Sequence, residues 1–202
     1  MTIDNDNLLE GIMKKLEVFA YLKASDIPDI DLYMDQVTTL METGLAPESR
    51  HGKDDKILTK TMINNYAKND LLPPPNKKKY SREHIIILIF IYYYKGILSI
   101  GDIQKLLAPL NQYFFANKDG LKVADIYEEV FSMEKKELDK IKVDVVEKYK
   151  VAWDLFEQAP QEQQDFLKQF AFICALSYDV YVKRLLIEKM IEEMPDFDPT
   201  QK

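Results

Sequence analysis

TKTMINNYAKNDLLPPPNKKKYSREHIIILIFIYYYK, residues 59–95, is the stretch from which the rest of the chain is read. Thr59 or Thr61 supplies a helix cap, because a hydroxyl accepts a bond from a backbone N–H that the first turn leaves orphaned. Wound at about 100° per residue, residues 60–70 carry Met62, Ile63, Tyr66 and Ala67 on one side. Thr61, Asn64, Asn65 and Lys68 fall on the other. Leu71–Leu72 and then Pro73–Pro74–Pro75 stop this helix, since proline lacks the N–H and pushes its predecessor to extended geometry. Three prolines in a row form a stiff spacer. Lys77, Lys78 and Lys79 follow on a short turn before Tyr80. Ser81 caps the next helix, with Glu83 in its first turn where the helix dipole favours an anion. From Ile85 to Tyr94 every residue is apolar or aromatic. That run is long for a strand and has no evident strand partner, so it reads as a helix buried on nearly every side. It is about half as long as a membrane span. Lys95–Gly96 closes it, glycine being free to take a left-handed cap.

Charge singles out the same region. Residues 50–82 hold nine Lys or Arg against three Asp or Glu, a surplus of +6 in a chain whose net charge is −7. A basic window in an acidic protein is the footprint expected of phosphate contacts. A helix face of amides, hydroxyl and ammonium suits a major groove, where Asn pairs bidentately with adenine and Lys meets guanine or phosphate. The bland reading of the same face is a solvated helix surface.

The order of pieces resembles the DNA-binding domain of MerR-type regulators. It is carried by Asn69-Asp-Leu-Leu-Pro-Pro, then Lys78-Lys-Tyr-Ser-Arg-Glu, then Leu98-Ser-Ile-Gly-Asp-Ile-Gln-Lys-Leu-Leu107, within residues 32–107. LYMDQV (32–37), TKTMINNY (59–66), LLPPP (71–75) and KKYSREH (78–84) also resemble the bacterial domain-of-unknown-function family 1836. The MerR likeness implies a helix-turn-helix followed by a wing, read as duplex DNA recognition by a homodimer. In it Thr61, Asn64, Asn65 and Lys68 would face the groove. Lys60, Lys77, Lys78, Lys79 and Arg82 would hold phosphates, with Tyr80 packing the base of the arm. The chain departs from that pattern in four places. Asn64 stands where those regulators carry an arginine, and only Tyr66 remains of a tyrosine pair. Lysines replace the wing's arginines, and Ala46–Leu58 is long for the turn between the first two helices.

Elsewhere the chain reads as helices. Leu8, Leu9, Ile12, Met13, Leu16, Phe19 and Ala20 recur at helical spacing within 6–24. Ser25-Asp-Ile-Pro-Asp-Ile-Asp31 has turn chemistry, and Leu32–Thr43 reads as a helix with Gly44 just past its end. Ser99 and Asp102 have capping-box spacing for a short helix through Leu107, ended by Pro109. Asn111–Gly120 reads as a loop. Helices over roughly 122–131, 133–158 and 160–194 follow, with Pro160 at a favourable first position. In the last, FAFICALSY (170–178) carries no charge and its stripe is wide, so the expectation is deep burial, with Cys174 in the core. A dimer interface and a small-molecule pocket are the other readings of this helix.

The expected class is therefore all-α: a MerR-like winged helix-turn-helix core with an N-terminal amphipathic helix, in residues 1–110, and a C-terminal helical dimerisation or effector region, in 111–202. A small-molecule or protein effector would act at those C-terminal helices. Neither a catalytic signature nor a cofactor is expected, and no membrane partner. His51, His84 and Cys174 do not have metal-ligand spacing, and His84 is expected near solvent at a helix start. One cysteine and no secretory leader pattern at the N-terminus point to the cytoplasm. The alternative is a helical protein-interaction module with a helix-turn-helix-like fold that no longer binds DNA.

Overall fold

The computed structural model describes residues 5–17, 22–45 and 58–195. The connector with His51, residues 46–57, lies outside them, as do residues 18–21, on which part of the expected N-terminal helix falls. Two compact units emerge: unit 1 is Met1–Ala20 with Met133–Ile187, and unit 2 is Tyr21–Ser132 with Glu188–Lys202.

Unit 2 is built around α4 (Arg82–Tyr94), in which every residue from His84 to Ile91 is buried. Around it pack α5 (Ile100–Tyr113), α6 (Val123–Phe131) and one small sheet. The sheet pairs β1 (Leu32–Tyr33) with β2 (Lys79–Tyr80) antiparallel, Leu32 opposite Tyr80 and Tyr33 opposite Lys79. From β1 the chain runs straight into α2 (Met34–Leu45), which contacts both strands and α3 (Lys60–Lys68). Val37, Met41 and Leu45 of α2 recur at helical spacing and are buried, as are Ile63 and Tyr66 of α3. Phe90, Tyr127 and Phe131 form an aromatic group between α4 and α6, with Tyr127 and Phe131 centroids 4.4 Å apart. The hydroxyl of Tyr127 donates to the Leu22 carbonyl.

Several local expectations change. Gly44 lies inside α2 rather than beyond it, and a Cβ there would meet Leu22 Cδ1 at 3.0 Å. α4 ends at Lys95 in right-handed geometry, so Gly96 is not needed for a left-handed cap. α5 runs through Pro109 to Tyr113, absorbing the start of the expected loop. A proline costs one i→i−4 bond, and here the turn beyond it is anchored by Asn111 Nδ2 donating to Leu71 O at 3.1 Å. The capping box at Ser99 and Asp102 forms as the spacing predicts.

Unit 1 consists of α1 (Asn5–Glu17), α7 (Glu134–Trp153) and α8 (Gln161–Glu193), whose last turn counts with unit 2. Its core is small: Val145, Ala152 and Phe172, flanked by Ile12, Met13, Tyr149, Trp153, Ala171 and Leu176. Tyr149 and Trp153 stack at 3.9 Å, and Phe172 meets Tyr149 edge-on at 5.6 Å. Lys148 ties α7 to α8, pairing with Asp144 on its own helix and with Asp179 at 2.7 Å. These two carboxylates raise the lysine pKa, and Lys148 in turn lowers that of Asp179.

Among the described residues the protein is all-α apart from the two short strands. That establishes the helical class and a small open sheet. It does not establish a winged helix-turn-helix core.

Candidate functional site

Among the described residues two surfaces stand out from the packing, one on each unit.

On unit 2, Thr59 caps α3, its Oγ1 accepting from Met62 N at 3.1 Å. With Ile63 and Tyr66 turned inward, Lys60, Thr61, Asn64, Asn65 and Lys68 are all exposed. The helix ends where Asp70 takes φ 55° and Leu71 N returns to Tyr66 O at 3.0 Å. Leu71 and Leu72 are buried there, and three prolines lead out to a tight hairpin. Asn76 and Lys79 exchange both backbone bonds, at 3.0 and 2.9 Å. Lys77 and Lys78 between them have φ 48° and 64°, as in a type I′ turn. Such turns favour Asn-Gly, because a Cβ at positive φ costs roughly 1 kcal/mol or more per residue. Two lysines therefore hold a strained backbone with both side chains in water.

The α3 start and the hairpin converge on the beginning of α2. Lys60 pairs with Asp35, while Lys79 Nζ sits 5.1 Å above the Tyr33 ring, two residues earlier. Tyr80 is buried at the base of the hairpin. Arg82 turns inward: its Nη2 donates to Ala24 O at 2.6 Å, with the Glu128 carboxylate at 4.0 Å. Its aliphatic stem and one nitrogen thus belong to the fold, unlike the open ammonium groups of Lys77 and Lys78.

His84 corrects the expectation of a solvent-facing helix start, being only 4% exposed. Its Nδ1 accepts from Ser81 N at 3.0 Å and pairs with Ser81 Oγ, while Nε2 lies 3.4 Å from Pro74 O. Those partners fit a neutral ring protonated on Nε2. Tyr80 and Phe115 flank it edge-on at 5.5 and 4.7 Å. Burial pushes its pKa down, against an upward pull from the Pro74 carbonyl. The imidazole locks the proline spacer to the start of α4, so it is a fixture of the fold rather than a ligand. Among the described residues no group of three or more His, Cys, Asp or Glu is arranged to hold a metal.

A family model described as "Domain of unknown function (DUF1836)" matches residues 22–130, more than half of the chain. The chain belongs to the DUF1836 family. The matched DUF1836 region follows the continuous stretch Tyr21–Ser132 of unit 2 almost to the residue, leaving α1, α7 and all of α8 outside it. The comparison with curated proteins and the comparison with solved structures returned no match.

Outside the DUF1836 region, α8 carries the second surface. Phe172 and Asp179 point toward α7, and Phe172 is buried there. On the opposite side Phe166, Phe170, Ile173, Tyr178, Val180, Tyr181 and Leu185 are all exposed, with Phe166 at 68% and Tyr178 at 69%. Cys174 lies within this band and is exposed as well. Both findings overturn the expectation of a deeply buried helix with a core cysteine. The stripe is as wide as the sequence indicates, but only half of it has a partner. A groove of about 300 Å³ beside it is lined by Val151, Ala152, Leu155, Ala171 and Ala175, with Asp144, Glu147 and Lys148 at its charged side. Among the described residues no helix is long and apolar enough to cross a membrane.

Proposed function

We propose that this protein is a helical protein-interaction module that uses the outward face of α8 as its docking surface. The observation that carries this reading is the exposed band from Phe166 to Leu185, opposite the face that packs on α7. A helix apolar on all sides is stable in water when all sides are covered, and contiguous bare apolar surface marks an interaction site. The protein effector expected at the C-terminal helices fits such a face, because aromatic anchors dominate protein interfaces. As proposed, the module needs no catalytic group and works in a reducing cytoplasm, where its single cysteine stays a thiol. A photoreactive phenylalanine analogue at position 170, irradiated in cells, tests it. The expected result is a covalent protein adduct that is lost when Tyr181→Glu is also present. Absence of any adduct overturns the reading.

A second reading, a transcription regulator binding duplex DNA through a MerR-like winged helix-turn-helix, has its own support in unit 2. Thr61, Asn64, Asn65 and Lys68 stand open on α3, Lys60 is exposed beside them though paired with Asp35, and Lys77 and Lys78 keep their ammonium groups in water at a conformational cost. Strained backbone persists where surrounding structure holds it, often at functional sites. Lys79 and Arg82 complete the basic set at its inner edge, and Tyr80 supports the hairpin. Fluorescence anisotropy against mixed duplexes at low and moderate salt separates the two readings. DNA binding predicts salt-sensitive affinity whose log–log slope falls by about two when Lys77 and Lys78 become alanine. No binding at either salt leaves the interaction module alone.

A further inference from the structure

The interaction reading leaves open what the partner presents to unit 1. We infer that it lays a basic amphipathic helix into the groove between α7 and α8, along the edge of the bare band. This inference rests on the interaction reading above and gives the partner a chemistry.

Shape comes first. Lys148 of α7 meets Asp179 of α8 and Trp153 meets Phe172 edge-on, so the two helices run antiparallel. Two depressions on one side of the pair, of about 300 and 450 Å³, share Asp144 and Glu147. They form one trough, which follows α7 from Asp139 to Val151 for about 18 Å, or roughly three helical turns. On α7 its wall is Asp144, Glu147 and Val151, at i, i+3 and i+7. On α8, Ala171, Ala175, Tyr178, Val182 and Leu185 share one stripe, at i, i+4, i+7, i+11 and i+14. Tyr178 and Leu185 belong to the exposed band as well, so the trough is continuous with it. Ala171 and Ala175 keep the α8 side low, which lets a third helix approach to the usual separation of about 8–10 Å. Val151 and Leu155 stand exposed at the other side, where apolar anchors at i, i+4 and i+7 of such a helix would sit.

Charge selects the polar face of that helix. Asp139, Asp144 and Glu147 line the trough, and Glu137 and Asp179 stand beside it. Against these five carboxylates there are three lysines. Lys140 is held by Glu137 at 2.6 Å, Lys148 by Asp144 and Asp179, and Lys183 acts on Asp179 from α8. The lysines already have carboxylates to face, and the surplus along the trough is negative. An acidic helix laid there meets like charge, whereas lysines or arginines along the helix edge meet the opposite sign.

The test uses the full chain and two amphipathic peptides of about 18 residues, long enough to form a helix. Both carry the same apolar pattern, one with lysines on its polar face and the other with glutamates. Fluorescence anisotropy is expected to show the lysine peptide binding about tenfold more tightly or better, with affinity falling as salt rises. Ala175→Trp, which fills the trough, is expected to weaken binding of the lysine peptide by about tenfold or more, with helical circular dichroism retained. Glu147→Lys is expected to weaken the lysine peptide and strengthen the glutamate peptide, a crossover that a damaged fold does not produce. Equal affinities, binding of neither peptide, or binding untouched by both substitutions overturns the inference. If position 170 then still yields a photo-adduct with another protein, the interaction reading stands while this inference fails. An adduct between two copies of this chain likewise overturns the basic helix as occupant. If no adduct forms and neither peptide binds, both fail.

Discussion

Ile85–Tyr94 in α4 and Phe170–Tyr178 in α8 are two uncharged helical stretches of nearly equal length. The structure treats them in opposite ways. Seven consecutive residues of the first, Ile85 to Ile91, are buried, with α5, α6 and the small sheet around them. Of the second, Phe172 is buried while Phe170, Ile173, Cys174, Ser177 and Tyr178 stand in water. What separates them is the number of neighbours each unit supplies. In unit 2 the fold encloses its central helix; in unit 1, α1 and α7 leave one side of α8 bare. An apolar stretch enclosed by its own unit contributes to folding, and one left bare is available for association.

Substitutions test that contrast by their size. The largest effect is expected at the enclosed helix: Ile87→Ala should lower unfolding free energy by about 2–5 kcal/mol, because the cavity cannot collapse among fixed neighbours. Chemical denaturation followed by circular dichroism measures it, and a loss under about 1 kcal/mol would mean that α4 is less tightly enclosed than its burial indicates.

Next comes His84, where the enclosure includes a polar group. His84→Ala should cost about 1–3 kcal/mol by stranding Ser81 N–H and freeing the proline spacer. With the native histidine, the folded-state pKa is lowered by burial. The unfolded chain therefore takes up the proton more readily, and its ordinary pKa is about 6.5. Stability from this group is full above that pH and declines as pH falls below it. His84→Ala should flatten that part of the pH profile; an unchanged slope between pH 7 and 5 would remove His84 as its source.

A smaller change, of opposite sign, is expected at the hairpin. Replacing Lys77–Lys78 by Asn-Gly should stabilise unit 2 by roughly 1 kcal/mol, since those residues take positive φ more readily. If the lysines serve DNA, the same variant loses duplex affinity while gaining stability, a pairing that anisotropy and denaturation report together. Smallest of all, Ile173→Ser on the bare face should shift the stability of the monomer by no more than about 0.5 kcal/mol. Measured by dilution, where association is absent, a larger loss would mean that the face is already covered within the chain.

Much of the fold was legible because local chemistry dictates it. Thr59 and Ser99 cap helices, and the residue types that fold inward on α3 are those that its periodicity sets apart, although α3 ends at the positive φ of Asp70, ahead of the prolines expected to stop it. The polar α3 residues named as candidates are exposed, and so are Lys77 and Lys78. Tyr33 and Asp35, which hold Lys79 and Lys60, gave no comparable signal, because an ion pair and a ring contact between distant segments leave no trace in spacing. The run of α5 through Pro109 was likewise hidden, since it depends on Asn111 reaching the Leu71 carbonyl.

By itself the sequence determined which segments become helices, where most of them start, and which of their sides are apolar. Tertiary structure alone decided which apolar sides are covered: that His84 goes inside, that Arg82 turns in, and that Cys174 and its neighbours stay out. The physical reason is that periodicity is a property of one helix, whereas burial is a relation between helices. A stripe that runs all the way round declares a need for neighbours without saying how many the chain itself provides.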